Sequence, residues 1–553
     1  MTVINQLDWG VESKGGRLLK FENFLPPTGT WIIDVENNMD GSFAGFGMTQ
    51  NGVTVYFFDK LPQDKNWFSR MELVGHNCKY DVQMLRKWGF NVKPEQIVFD
   101  TQLASYVQDS TKLHHGLKPL ALIELGMSWP TYKELCGTGK KAVSIGTLPI
   151  DIVANYNGCD VIATYRLYTL YQKLLTADQR AYLDQIEMPT MRVILEMEER
   201  GVQIDEGEIA SLLAEFEAER MALKSTICAS LKIENPNSNK QVGAALVALG
   251  YRLPKTQTGN PSVGKEALES YQNDTKIQPL IRWSEIDTLV SYFLKPITQK
   301  VKKGRLYGSF NQAVTDTGRL SSSGPNLQNI PTRTEDGNRL RGAFIAKPGY
   351  MLIDADYSQI EPRLMAHFSQ DPMLLRVFRQ NLDLYDSVSE AVGLPVDKTS
   401  RKISKILWLA MSYNAGAAKL ARAAGLTKDQ AYQFLDRMKR TYEQFFYWRA
   451  KTISQCEIAG GVMTLFGRLI PLDREFAHMG PNYIIQGSAA EINKLGLQAV
   501  RHLSPILNVH DEIIFELPAP VDEISDLMTQ VCELTVPVEV EIGVGPSWAG
   551  AKK

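Results

Sequence analysis

At 553 residues the chain exceeds what one hydrophobic core organises, so three or four compact units are expected. Its 44% hydrophobic and 22% charged content is that of an ordinary globular protein. With no N-terminal basic-plus-apolar segment and no apolar run near eighteen residues, neither a secretory signal nor a membrane span is expected.

The six cysteines (78, 136, 159, 228, 456 and 532) form no Cys-x-x-Cys pair, which argues against a zinc site and for reduced thiols. The net charge of −2 averages over segregated regions. Residues 295–347 hold ten Lys or Arg against three acids, and residues 398–451 hold twelve against three. Residues 502–550 contain no Lys or Arg, while 511–541 carry nine acids. Basic tracts near an acidic one suit a polyanion held beside metal-binding carboxylates, although solvated helix faces would explain either basic tract alone.

In chain order, short apolar runs over Thr30–Glu36, Phe43–Met48 and Val53–Phe58 alternate with Gly and Asn turns and predict a strand meander. Asp34 and Glu36 lie two apart, on one strand face. Asp81 closes the run from Gly75, and Tyr156 and Asp160 stand four apart, one helical turn from each other. Acidic segments of this kind can converge on two metal ions, which activate water and stabilise the leaving oxygen in phosphodiester hydrolysis. These segments resemble the three exonuclease motifs of the proofreading domain of family A DNA polymerases. The resemblance implies that Asp34, Glu36, Asp81 and Asp160 bind metal and that Tyr156 orients the attacking water. The run His114-His-Gly-Leu-Lys-Pro-Leu120 resembles an interior segment of the same domain.

From residue 187 a long helical stretch is expected, stopping at Gly201. Asn235–Gln241 predicts a polar turn opening another helix, and Pro254–Ser262 a loop. Similar segments form the thumb of family A polymerases, which makes Asn237, Ser238 and Lys240 candidate phosphate contacts beside a plain helix-cap role. Residues 315–333 are rich in Ser, Asn, Gln and Gly and would ordinarily be a surface loop. They closely resemble the family's primer- and template-binding segment, which implies DNA contacts by Arg319, Asn326, Gln328, Asn329 and Arg333.

Residues 350–363 carry the strongest local pattern. The apolar run Met351-Leu-Ile353 predicts a buried strand delivering Asp354 and Asp356 to one face, and Pro362 suits the first turn of a following helix. Such an arrangement can hold a hard divalent cation, and the spacing does not choose between the two acids. The stretch resembles the family's first polymerase motif. Alignment on Ser358-Gln-Ile-Glu361 implies Asp356 as metal ligand, with Tyr357 beside it, Gln359 on the nucleotide side and Glu361 crowding the sugar 2′ position. Pro362 replaces the usual Leu.

Residues 400–414 are helical in pattern, with Arg401, Lys405, Leu409 and Tyr413 on one stripe. Two cations one turn apart can clamp a triphosphate, and Lys405 can protonate the departing pyrophosphate, although a basic amphipathic surface helix would show the same pattern. The stripe resembles the family's fingers helix, with Leu409 standing where Phe or Tyr is usual and Asn414 where Gly is usual. Asn482 through Gln486 resembles the helix that contacts template and primer, with His478 where bacterial enzymes often have Arg. Finally, Ile506–Glu516 alternates as a hairpin with acids at its turn. Val509-His-Asp-Glu512 resembles the last polymerase motif, implying Asp511 as second metal ligand, Glu512 as auxiliary acid and His510 as a primer-end contact.

The resemblance runs from about residue 28 to 550 in the family's motif order. It implies an α/β and α+β multidomain chain, with an RNase H-like 3′–5′ exonuclease domain (1–183) followed by a right-hand polymerase (184–553). Within the latter it implies thumb at about 184–300, palm at about 301–370 and 480–553, and fingers at about 371–479. It further implies two Mg²⁺ ions at each active site, replaceable by Mn²⁺, with primer-template DNA and dNTPs as partners. A monomer in the bacterial cytoplasm is expected, with helicase-primase and single-strand-binding protein as accessory partners. Only about thirty residues precede the first motif, without the 5′-nuclease domain of many bacterial members, so a bacteriophage source is expected. A nuclease with a decayed polymerase half would have lost an acid at 356 or 511, and both are present.

Overall fold

The computed structural model describes residues 2–3, 27–256, 258–332, 334–412, 416–519 and 522–552. Arg333, Tyr413 and Asn414 lie outside them.

The first layer system is a six-stranded sheet. Its strands run in the order Thr2–Val3, Tyr56–Phe58, Phe43–Thr49, Gly29–Asn37, Met71–Gly75, Ile97–Asp100. The strand Gly29–Asn37 is central, antiparallel to Phe43–Thr49 and parallel to Met71–Gly75. Its Trp31, Ile32, Ile33 and Val35 are all buried, as a strand covered on both faces requires. The helix Ile150–Leu174 packs on the two central strands and Cys78–Lys87 packs on Gly29–Asn37. Gly47 allows the first of these contacts, because a Cβ there would overlap Asn157 Oδ1. The third expected strand is shorter than the pattern suggested. Asn51 Oδ1 accepts from the N–H groups of Val53 and Thr54, both at 2.9 Å, and ties them into a turn.

The second sheet has four strands in the order Leu507–Val509, Glu512–Leu517, Met351–Tyr357, Val540–Gly545. Met351–Tyr357 is antiparallel to both neighbours, with Asp356 opposite Glu512 on one side and Glu541 on the other. Leu352, Ile353 and Ala355 are fully buried, while Met351 at the strand start is 39% exposed. The helix Ile360–Ser369 follows directly, with Pro362 in its first turn.

One continuous apolar core joins this sheet to the helices from Val193 to Ala551, and a second spans Trp31 to Leu195. A smaller core gathers residues between Ile227 and Trp283. The helix expected to begin near Glu187 in fact continues from Ala177 to Arg200 through a π-helical turn over Leu183–Glu187. That widened turn lies just ahead of Pro189, whose missing N–H would otherwise interrupt the ladder.

Two buried ionic networks lock the cores together. Lys494 pairs with Glu187, whose other carboxylate oxygen accepts from Gln312 Nε2 at 2.6 Å. Lys79 pairs with Glu198 and also donates to the Phe310 carbonyl at 2.6 Å. Arg468, fully buried, donates to Tyr106 Oη at 2.9 Å and to the Asp316 carbonyl at 3.2 Å. All six cysteines are free thiols. No helix among the described residues is long and apolar enough to cross a membrane.

Candidate active sites

The first site lies on the six-stranded sheet. Asp34 and Glu36 project from the central strand, and Asp160 comes from the helix pressed onto it. One ligand atom from each lies within 4.8 Å of the other two. Three hard oxygen donors at this spacing fit a divalent cation such as Mg²⁺. Asp81 stands slightly apart on the helix Cys78–Lys87, where its Oδ1 accepts from the Val35 N–H at 3.1 Å. Burial pushes the carboxyls of Asp34, Glu36 and Asp81 well above the usual range, and their mutual repulsion adds to it. A cation among these carboxylates would offset the cost of ionising them together.

Three neighbours had no role assigned from sequence. Asn157 donates to Asp34 Oδ2 at 2.7 Å and to Glu36 Oε1 at 3.4 Å, holding the two acids in register. Lys118 and Trp129 both donate to Asp160 Oδ1, at 2.9 and 3.0 Å. Asn157 and Lys118 fall inside segments that the family resemblance already marked, whereas nothing in the sequence singled out Trp129. Another buried acid, Asp100, is fully absorbed by structure. Its carboxylate accepts from Cys78, Asn77, Gln102 and Leu103 N–H groups and so caps two helices.

The second site lies on the four-stranded sheet. Glu512, Asp356 and Glu541 form a cross-strand row of like charge, which repels unless a cation joins it. The ammonium of Lys552 does so here, contacting Glu512 and lying 4.0 Å from Asp356 Oδ2. With Asp354, Asp356 and Glu541 it lines a cavity of about 30 Å³. Burial pushes the carboxyls of Asp354 and Asp511 up to about 6. Asp511 and His510 form the hairpin turn, with His510 at φ 55°. The Tyr357 N–H donates to the Asp511 carbonyl at 3.3 Å, which sets Asp511 beside the end of the Asp356 strand. The Tyr357 hydroxyl points into the core and donates to the Met528 carbonyl at 2.9 Å, so any ligand role falls to its main chain.

Arg319 is ion-paired with Glu361, and both lie near Asp511. Gln359 adopts φ 51° at the start of the following helix and its Oε1 is buried without a partner among the described residues. Asn326 and Asn329 line a cleft of about 640 Å³ with Tyr292 and Lys300. Gln328 is only 7% exposed and donates to the Asn508 carbonyl at 3.3 Å, supporting the hairpin rather than facing solvent. Two candidate phosphate contacts also make hydrogen bonds within the chain, Asn237 from an exposed position and Ser238 from a half-buried one. Ser238 caps the helix Asn239–Ala248, and Asn237 accepts from Trp283 Nε1 at 2.7 Å. Lys240 remains exposed.

On the helix Lys398–Ser412 the stripe Arg401, Lys405 and Leu409 is exposed, whereas Leu407, Trp408 and Met411 are buried. Leu409 is therefore not a core residue. Arg401 pairs with Asp383 and Asp386, and both cations lie over the Tyr385 ring at 5.2 and 5.7 Å. Tyr385 carried no signal in sequence. Asn482 and Gln486 sit half-buried on the helix Gly480–Ala499, and His478 is exposed just before it.

Residues 206–550 match the family described as DNA polymerase family A, and residues 25–176 match 3′-5′ exonuclease. The chain belongs to DNA polymerase family A, with an exonuclease domain preceding the polymerase domain. It is 34% identical to DNA polymerase I of Pseudomonas aeruginosa over 86% of this chain and 56% of that one. It is 30% identical to DNA polymerase I of Rhizobium leguminosarum, over 97% and 57% respectively. The chain thus spans little more than half the length of these relatives. Among solved structures, the POL domain of Pol1 from M. smegmatis, in complex with DNA primer-template and dNTP, is similar with a TM-score of 0.81. That likeness covers 95% of this chain and 97% of the other at 26% identity.

Proposed function

We propose that this protein is a DNA-templated DNA polymerase that extends a primer 3′ end and proofreads it through a separate 3′→5′ exonuclease site. The observation that carries the reading is the presence of two carboxylate centres on one chain. The Asp34–Glu36–Asp160 cluster lies within the exonuclease match, and the Asp356, Asp511 and Glu512 group lies within the polymerase match. In this reading residues 1–183 form the exonuclease domain, about 184–300 the thumb, about 301–370 with 480–553 the palm, and about 371–479 the fingers.

Asp356 and Asp511 would hold Mg²⁺ or Mn²⁺ at the polymerase site, and Asp34, Glu36, Asp81 and Asp160 at the exonuclease site. When bound, a pair of such ions lowers the pKa of the attacking oxygen and neutralises charge on the phosphates. Arg401 leaves Asp383 to take the incoming triphosphate together with Lys405, which then gives a proton to the departing pyrophosphate. Tyr413 takes part in nucleotide binding, and Glu361 fills the space a 2′-hydroxyl would need. Arg319, Asn326, Asn329, Arg333, Asn482, Gln486 and His510 position primer and template, with Gln328 bracing the hairpin beneath. At the other site Tyr156 orients the attacking water.

The chain would act as a monomer on primer-template DNA, with a helicase-primase or single-strand-binding protein as accessory partners. The similar proteins are bacterial, and they lend a bacteriophage source and phage genome replication no support. Primer extension with matched and mismatched 3′ ends tests the whole reading. Matched ends should be extended directly and mismatched ends trimmed first; extension of neither would refute it.

Two substitutions examine the nucleotide pocket. Glu361→Ala removes a steric exclusion of the kind that separates close substrates by about 1–3 kcal/mol, so ribonucleotide incorporation should rise roughly 10-fold or more. It also frees Arg319, so overall extension should fall. Unchanged sugar discrimination would remove Glu361 from the pocket. Leu409→Tyr places a hydroxyl beside the triphosphate on an exposed helix face. A hydrogen bond to a charged group contributes about 1.5–3 kcal/mol, so dideoxynucleotide incorporation relative to deoxynucleotide should increase roughly 10- to 100-fold. A variant that extends primers and still rejects dideoxynucleotides would show that this helix does not cover the nucleotide.

A further inference from the structure

The exonuclease-side cluster contains a cation of its own. Lys118 is the second residue of the helix Leu117–Leu125, which packs on Ile150–Leu174. Its ammonium lies 2.9 Å from Asp160 Oδ1, 4.2 Å from the centre of the Tyr156 ring and 4.4 Å from that of Trp129. Trp129 contributes twice, since its Nε1–H donates to the same Oδ1 at 3.0 Å. The pair is well shielded, with side-chain exposures of 20% for Lys118 and 8% for Asp160. An ammonium held between two aromatic faces and a carboxylate has little freedom to leave.

Both donors fall on one oxygen of Asp160. Two bonds to Oδ1 fix the plane of the carboxylate and leave Oδ2 as the oxygen they do not occupy. Outer partners that orient a metal-binding carboxylate in this way tune the site nearly as strongly as the ligands themselves. The same ammonium rests on Tyr156, one helical turn from Asp160 on the helix Ile150–Leu174. One side chain thus sets both the metal-facing acid and the tyrosine that orients water.

We propose that Lys118, assisted by Trp129, is a positioning residue of the exonuclease site that holds Asp160 and Tyr156 in their working arrangement and presents one Asp160 oxygen to a metal ion. The proposal rests on the exonuclease reading above. The test is Mn²⁺ binding to the full chain without DNA, followed by calorimetry, alongside excision of single-stranded DNA. The relevant binding is the part that Asp34→Ala with Glu36→Ala abolishes. Lys118→Met keeps the stem and removes the charge, and it should weaken this binding and slow excision by about 10- to 100-fold each. Lys118→Arg should recover most of the binding. Trp129→Phe, which keeps a ring and loses the donor, should shift both readouts the same way by less.

Mn²⁺ binding in Lys118→Met as tight as in the parent, or tighter, would overturn the proposal, since the lysine would then be inert or a competitor of the metal. If Lys118→Met does not fold, Trp129→Phe decides: unchanged binding and excision in that variant refute the arrangement. Should Asp34→Ala with Glu36→Ala leave excision intact, the exonuclease reading itself fails. If that double variant loses excision while Lys118→Met keeps it, only the role of Lys118 falls.

Discussion

Asp356→Ala should lower primer extension by more than about 100-fold, beyond the loss expected for an outer-shell partner, while excision from a 3′ end continues. Asp356 sits in the middle of the sheet row, opposite Glu512 and Glu541, and its side chain is 41% exposed. Asp354 is only 4% exposed, and its Oδ1 is buried without a partner among the described residues. In the proposed reading a metal would be held by this open acid, with Asp354 behind it. On that reading, removing the Asp356 carboxylate would leave the metal short of a ligand, with Asp511 alone to hold it. Asp511→Ala should fail in the same way. Steady-state extension of a matched primer measures both, and excision by the same preparation reports that the chain is folded. Near-normal extension by Asp356→Ala would transfer the ligand role to Asp354.

Asp34→Ala combined with Glu36→Ala should abolish 3′→5′ excision, again by more than about 100-fold, and leave extension of a matched primer essentially intact. Two of the three acids within 4.8 Å of one another disappear, and Asn157 loses both of its carboxylate partners. Both substitutions lie on the central strand of the six-stranded sheet, whose apolar core is separate from that beneath Asp356. The cost to folding is small, because a buried cluster of like charges is relieved rather than a packed apolar group removed. Excision of a mismatched 3′ nucleotide is the measurement. Retained excision would show that the cluster is structural, and a parallel collapse of extension would show that the two sites are not independent.

Much of this was legible in the chain itself because the signals are local. Asp34 with Glu36, and Asp354 with Asp356, reach one face through the two-residue period of a strand, and Arg401, Lys405 and Leu409 share a stripe through the helical period. Those periods need no tertiary information. The hairpin with His510 and Asp511 at its turn follows from alternation and chain direction alone. Local pattern misled where a side chain recruited the backbone, as when Asn51 shortened the third strand. Polar composition also stood in for exposure at Gln328, which is buried and donates to the Asn508 carbonyl.

What the sequence determined by itself was the order of the motifs, the acids they carry and the faces those acids share. Only the tertiary structure decided which distant groups meet them. Lys118 and Trp129 reach Asp160 across 42 and 31 residues, and Lys552 reaches the Asp356 row from just past the end of the polymerase match. The buried pairs Glu187–Lys494 and Lys79–Glu198, and the Arg468–Tyr106 contact, bind the two sheets' surroundings into one body. The physical reason is that a buried charge needs a partner wherever the fold can supply one. Chain spacing carries no record of that choice, because the partner is selected by burial and direction in space.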